Sequence, residues 1–226
     1  MATETPDGTL IFEDRTDAGR FLAGKLTVYK QEDPIVLALP RGGVVVGYEI
    51  ARALNAPLDV IVARKLGAPG HEELGIGAIA PGDVRVLDER TIHWLGITDE
   101  QLQRVIAKET LEMNRRLRLY RGDRPLPEVR DKTVILVDDG LATGVTAQAA
   151  ILSLRRQQPR RLIVAIPVCA PETAERLRTE VDELTCLSTP AEFRAVGLWY
   201  RRFEQTTDQE VIDLLARANQ EVAAVV

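Results

Sequence analysis

Short β-branched runs that alternate with helix-patterned stretches constrain this chain more than any other feature. Residues 34–40 (PIVLALP), 58–63 (LDVIVA), 132–138 (KTVILVD), 161–168 (RLIVAIPV) and 181–187 (VDELTCL) read as strands. The first four are apolar almost throughout, so both of their faces must be covered, as in a parallel sheet with helices on either side. Between them, GGVVVGYEIARAL and TGVTAQAAILSLRRQ repeat apolar residues near the helical period, and a third helix is expected from Pro171 to about Thr179. The expected fold class is therefore α/β, a mostly parallel central sheet flanked by helices. At 226 residues the chain can form this as one domain with an ordinary core.

Two stretches break the alternation. IGAIAPGDVRVLD (76–88) reads as a hairpin turning at Pro81 and Gly82. Residues 88–125 read as a helical insertion, its two helices broken at Gly96, with Thr98 and Gln101 spaced as a capping box. A last helix, TDQEVIDLLARANQEV, carries its own box in Thr207 and Glu210. Arg115, Arg116, Arg118, Arg121 and Arg124 tempt a nucleic-acid reading. Glu112 lies four residues before Arg116 and Lys108 four before Glu112, so a salt-bridged, solvated face is expected instead. The net charge of -5 also argues against a protein that coats nucleic acid. Cys169 and Cys186 are too few for a disulfide framework, and no apolar run is long enough to span a bilayer. With neither a basic start nor an apolar signal core in MATETPDGTL, a reduced, cytoplasmic protein is expected.

Chemistry concentrates in VILVDDGLATGVT (134–146). Asp138 and Asp139 end a buried strand, where open α/β sheets bind ligands. Beyond them, Ala142, Thr143, Gly144, Val145 and Thr146 lead into a helix whose first amides can converge on an anion. Carboxylates for hydroxyls at one end and an anion cradle at the other suit a ribose 5-phosphate. A Walker loop is excluded, because its lysine and glycine spacing are missing.

The same run resembles the signature by which type I phosphoribosyltransferases bind 5-phosphoribosyl pyrophosphate (PRPP): an apolar run, an acidic pair, then T-G-x-T. The resemblance implies that Asp138 and Asp139 grip the ribose hydroxyls while Gly140 and Ala142 through Thr146 hold the 5-phosphate. It also implies a second anion loop, for pyrophosphate, after an earlier strand. LPRGGVVVG (39–47) has that form, with Gly42 and Gly43 allowing close backbone approach and Arg41 offering forked donors. A third element, ARKLGAPGHEELGIG (63–77), has the composition of a mobile lid, from which Arg64 and Lys65 would face pyrophosphate. GIGAIA within it fits the dinucleotide pattern GxGxxA, but it follows a polar loop and Pro81-Gly82 stops the required helix, so that match is rejected.

What the resemblance implies is transfer of 5-phosphoribosyl from PRPP to a nucleobase-like acceptor, with release of pyrophosphate, in nucleotide salvage. Asp138, Asp139, Arg41 and Lys65 are the expected catalytic residues. Mg2+ is expected to be held through PRPP oxygens, with Asp138 or Asp139 as the available protein ligands. Some purine-using relatives carry a third carboxylate where this chain has Ala142, so Glu72, Glu73 and His71 of the lid become the acid or base candidates. The acceptor is expected under a hood at 182–206, where Phe193, Trp199, Tyr200 and Phe203 either stack on a ring or pack the hood itself. His93 is expected to be half-buried, and a homodimer is common among such proteins. The alternative is a PRPP-binding regulator without turnover.

Overall fold

The computed structural model describes residues 2–4 and 9–223. An antiparallel pair, β1 (Thr3–Glu4) and β2 (Leu10–Ile11), precedes helix α1 (Arg15–Leu26) and a 3-10 helix (Thr27–Glu32). Next come β3 (Ile35–Ala38), α2 (Gly42–Leu54) and β4 (Leu58–Val60). Strands β5 (Arg64–Ala68), β6 (His71–Ala80) and β7 (Val84–Leu87) follow, then α3 (Glu89–Trp94) and α4 (Asp99–Arg121). The chain continues through β8 (Thr133–Val137), α5 (Val145–Arg155), β9 (Arg161–Val168), α6 (Pro171–Arg178) and β10 (Glu183–Ser188). A 3-10 helix (Val196–Trp199) and α7 (Asp208–Ala223) complete it.

Five strands form a parallel sheet in the order β10-β9-β8-β3-β4, while β5, β6 and β7 form an antiparallel one. The period-two alternation of strand side chains divides the core between the parallel sheet's faces. Val36, Ala38, Ile135, Val137, Ile163 and Ala165 face α1, α2, α4 and α7. Leu37, Leu136, Val164 and Ile166 face α5 and α6. Continuous apolar runs are thus what two covered faces require. No helix among the described residues is long and apolar enough to cross a membrane.

Both expected capping boxes form: Thr98 with Gln101 opens α4, and Thr207 exchanges bonds with Glu210 at the start of α7. Other expectations need correction. Residues 63–77 are a paired hairpin rather than an open loop, with Arg64 opposite Ile79 and Leu66 opposite Gly77. Their glycines serve close strand approach, since a Cβ at Gly67 would overlap the Glu72 carbonyl and one at Gly77 the Val86 carbonyl. His93 is exposed, because short α3 buries only Ile92. Lys108 pairs with Glu72 across the fold at 2.7 Å, not with Glu112, which takes Arg115 and Arg116 instead. Helix α1 was not expected. Its buried stripe of Ala18, Gly19, Leu22, Ala23 and Leu26 carries a glycine, and Gly19 lies so close to α2 that a Cβ would come within 2.9 Å of the Val46 carbonyl.

The long helix α4 is bound to the sheet by more than apolar contact. Arg121, buried at its C-terminus, forks onto Asp59 of β4 at 3.0 and 3.1 Å and also donates to the Pro125 carbonyl. Removing one member of such a pair strands the other charge in a poorly hydrated place, at a cost of about 3–5 kcal/mol. Arg121→Met is therefore expected to lower unfolding stability by about 3 kcal/mol in a denaturant titration, and adding Asp59→Asn to restore part of the loss. Equal midpoints for wild type and Arg121→Met would show that the pair holds nothing.

Candidate functional site

Strands β3 and β8 are neighbours in the parallel sheet, so the loops after them emerge side by side. The Leu39 N–H donates to the Val137 carbonyl at 2.8 Å, carrying the pairing to the rim. The Pro40–Arg41 peptide is cis, and α2 begins at once with Gly42. A Cβ at Gly42 would overlap the Asp139 carboxylate, and one at Gly43 would lie 2.9 Å from the Val137 carbonyl. Glycine at both positions is therefore what lets the loop after β3 touch the acidic pair.

The two carboxylates have different surroundings. The Asp139 N–H donates to Asp138 Oδ1 at 2.9 Å. Burial, and then the neighbouring Asp139 charge, push the Asp138 carboxyl well above the usual carboxylate range. Asp139 instead meets a cation: Arg15 Nε donates to its Oδ2 at 2.6 Å, with only 12% and 16% of the two side chains exposed. The same guanidinium donates to the Glu204 carbonyl at 2.7 Å and lies 3.8 Å over the Phe203 ring. The buried Tyr200 hydroxyl donates to the Asp139 main-chain carbonyl, and burial followed by the Asp139 charge raises that phenol well above its ordinary value.

The second loop is shaped by Gly144, whose φ of 66° opens α5 and where a Cβ would fall 2.5 Å from Thr173 Cγ2. The Thr173 hydroxyl donates to the Ala142 carbonyl at 2.6 Å, and Arg176 donates to the Thr143 carbonyl. The loop's carbonyls are thereby held by α6. The first turn of α5 keeps amides at Val145, Thr146 and Ala147 with no intrahelical acceptor, the arrangement that binds anions.

Residues 12–200 match the phosphoribosyl transferase domain family. The chain belongs to this family. Two curated proteins of Mycobacterium tuberculosis strains, each named "Putative phosphoribosyl transferase", are 41% identical to it over 213 residues, covering 94% of this chain and 48% of each relative. The chain thus spans about half the length of the curated relatives it matches. The crystal structure of TT1426 from Thermus thermophilus is 41% identical, with a TM-score of 0.77 over 92% of this chain and 98% of that one. The AQ2163 protein of Aquifex aeolicus shares the fold at 13% identity, with a TM-score of 0.52 over 89% of this chain and 84% of that one.

Within this phosphoribosyltransferase fold the other expected site residues are placed unevenly. Arg41 lies in the first loop, 3.9 Å from Asp208 Oδ1, and Asp208 also accepts from Tyr120. Burial and that bond push the Tyr120 phenol up to about 12. Arg64 pairs with Glu109 at 2.7 Å and Lys65 donates to the Glu73 carbonyl at 2.6 Å. Among the described residues neither makes a hydrogen bond or ion pair with Asp138 or Asp139. The hairpin and α4 enclose a cleft of about 300 Å³ whose lining includes Arg64, Lys65 and Lys108 but also Glu72, Glu73 and Glu109, a balance that does not favour an anion. His71 and Glu73 are exposed on the hairpin. Phe193 stacks on Trp199 at 6.4 Å, and Tyr200 packs between Phe12 and Phe203, at 5.6 and 4.9 Å. Arg15 was missed. Asp14, which caps α1 by accepting from the Asp17 N–H, marks a helix start, but nothing local shows that Arg15 reaches a residue 124 positions later.

The raised carboxyl makes a pH test possible. The folded state holds the Asp138 proton more tightly than the unfolded chain, so ionisation costs stability as pH rises above the unfolded value of about 4. Asparagine keeps the Oδ1 acceptor without that cost. Ligand-free Asp138→Asn is expected to melt above wild type at pH 8, with the gap closing towards pH 4; a gap independent of pH would contradict the shift.

Proposed function

We propose that this chain transfers the 5-phosphoribosyl group of PRPP to a nucleobase-like nitrogen acceptor and releases pyrophosphate. The observation that carries this reading is the contact between the two glycine loops, with Gly42 against the Asp139 carboxylate. Two anion cradles that share one acidic pair suit a ligand with phosphate groups at both ends and hydroxyls between them, which is the layout of PRPP.

In this assignment the first-turn amides of α5, with the hydroxyls of Thr143 and Thr146, hold the 5-phosphate. Asp138 and Asp139 accept hydrogen bonds from the ribose hydroxyls and stabilise positive charge developing on the sugar. Arg41 and the amides at Gly42 and Gly43 take the departing pyrophosphate. Arg64 and Lys65 join them only by exchanging Glu109 and the Glu73 carbonyl for the ligand. No group of three or more His, Cys, Asp or Glu able to hold a metal occurs among the described residues. Asp138 and Asp139 are carboxylate oxygen donors of the kind magnesium takes, so either would serve as the protein ligand of an ion otherwise held by substrate oxygens and water. Magnesium, when bound, neutralises pyrophosphate charge. With Ala142 beside the phosphate loop, any proton handling at the acceptor comes from elsewhere. His71 and Glu73 are the candidates with open side chains, while Glu72 is held by Lys108.

Calorimetry with PRPP and magnesium tests the central assignment: Asp138→Asn with Asp139→Asn should abolish binding, and unchanged affinity would refute it. Arg41→Ala should weaken inorganic pyrophosphate by about tenfold, the scale of one charge-assisted hydrogen bond, and ribose 5-phosphate much less. Equal losses would remove Arg41 from the pyrophosphate site. The present engagement of Arg64 and Lys65 favours a second reading, a PRPP-binding regulator without turnover. A panel of bases incubated with PRPP separates the two, because only the transferase releases pyrophosphate.

A further inference from the structure

Building on the assignment of Asp138 and Asp139 to the sugar, we propose that Arg15 is the positioning residue of the sugar site. It fixes the Asp139 carboxylate from the start of the N-terminal helix.

Three contacts hold its guanidinium at once: Nε on Asp139 Oδ2 at 2.6 Å, Nη1 on the Glu204 carbonyl at 2.7 Å, and the Phe203 ring 3.8 Å below. An exposed ion pair would exchange with water and fix little. Here 12% of the arginine side chain and 16% of the aspartate are exposed, and the stacked plane removes the freedom the pair would otherwise have to lose on binding. Arg15 also stands against the first anion loop, since a Cβ at Gly42 would come within 2.6 Å of its Nε.

The bond is directional in its consequence. It occupies Oδ2, and a carboxylate retains a second oxygen able to accept from a hydroxyl. Asp139 is gripped at its other end too, where the Tyr200 hydroxyl donates to the main-chain carbonyl and the Tyr200 ring packs on Phe203. The segment that carries Tyr200, Phe203 and Glu204 and the helix that begins at Arg15 therefore converge on one carboxylate. Asp138 accepts from the Asp139 N–H and has no cation in contact among the described residues. Of the two carboxylates, Asp139 is the one whose orientation is set in advance, and Arg15 sets it.

The test is calorimetry of the full chain with ribose 5-phosphate, 2-deoxyribose 5-phosphate and inorganic pyrophosphate. Arg15→Gln should reduce the wild-type preference for ribose over 2-deoxyribose 5-phosphate by about tenfold, the value of one hydrogen bond to a charged group. Pyrophosphate affinity should stay within about twofold, and Arg15→Lys should recover part of the preference. A residue that only stabilised the fold would lower all three affinities together, and that result, or an intact preference in Arg15→Gln, overturns the proposal. Should Arg15→Gln fail to fold, Phe203→Leu, which removes the plane stacked on Arg15 and Tyr200 but leaves the arginine, should also lower the preference, and an unchanged ratio there overturns the proposal equally. Wild-type protein that binds neither sugar phosphate would overturn the functional assignment and this proposal with it, whereas wild-type preference insensitive to Arg15 refutes this proposal alone.

Discussion

The Asp139 carboxylate is where the parts of the molecule that form the crevice meet. It stands at the end of β8, touches the loop after β3 through Gly42, and is held by Arg15 of α1. Its carbonyl receives Tyr200 from the segment before α7. A buried or half-buried carboxylate is costly unless paired, so this convergence is required by electrostatics as well as by any ligand. The neighbouring Asp138 has no such cation in contact, and burial beside Asp139 raises its carboxyl. Two adjacent acids thus sit in different surroundings, one buried and the other in contact with an arginine.

The parallel sheet was legible because its signal is local. Val134 to Val137, Leu162 to Val168 and Ile35 to Ala38 are apolar on both faces, and only a doubly covered strand needs that. Helix α1 was not legible, since Gly19 blunts its stripe and the close approach to α2 that requires Gly19 is a tertiary fact. The glycines of 63–77 misled in the opposite direction. Their number suggested mobility, whereas Gly67 and Gly77 allow neighbouring backbones to pack without clash.

The candidate site divides in the same way. The strand, turn and helix start that carry Asp138 through Thr146 could be read directly because they follow one another in the chain. Their partnership with Arg41, Gly42 and Gly43 rested on resemblance, and the adjacency of β3 and β8 supplies its geometric basis. Arg15 could not be read, and Tyr200 was read only as a hood aromatic, because the contact of each with Asp139 depends on distant parts of the chain folding over its middle. Trp199 and Phe193 were legible as aromatics, yet stacking on each other is a choice only packing makes.

Helix α4 shows why distant residues matter to the crevice. Its C-terminal end, through Tyr120 and Asp208, stands beside Arg41, while Arg121 anchors it to β4. Its middle holds the β5–β6 hairpin at two points of unequal strength. Arg64 and Glu109 form a partly buried pair at the hairpin base, with 26% and 13% of their side chains exposed. Lys108 and Glu72 pair nearer the tip with 63% and 78% exposed, where solvent leaves an ion pair worth roughly 0–1 kcal/mol. The base is therefore the firmer of the two attachments. His71, Glu72 and Glu73 lie near the weaker of these attachments and Arg64 at the firmer one.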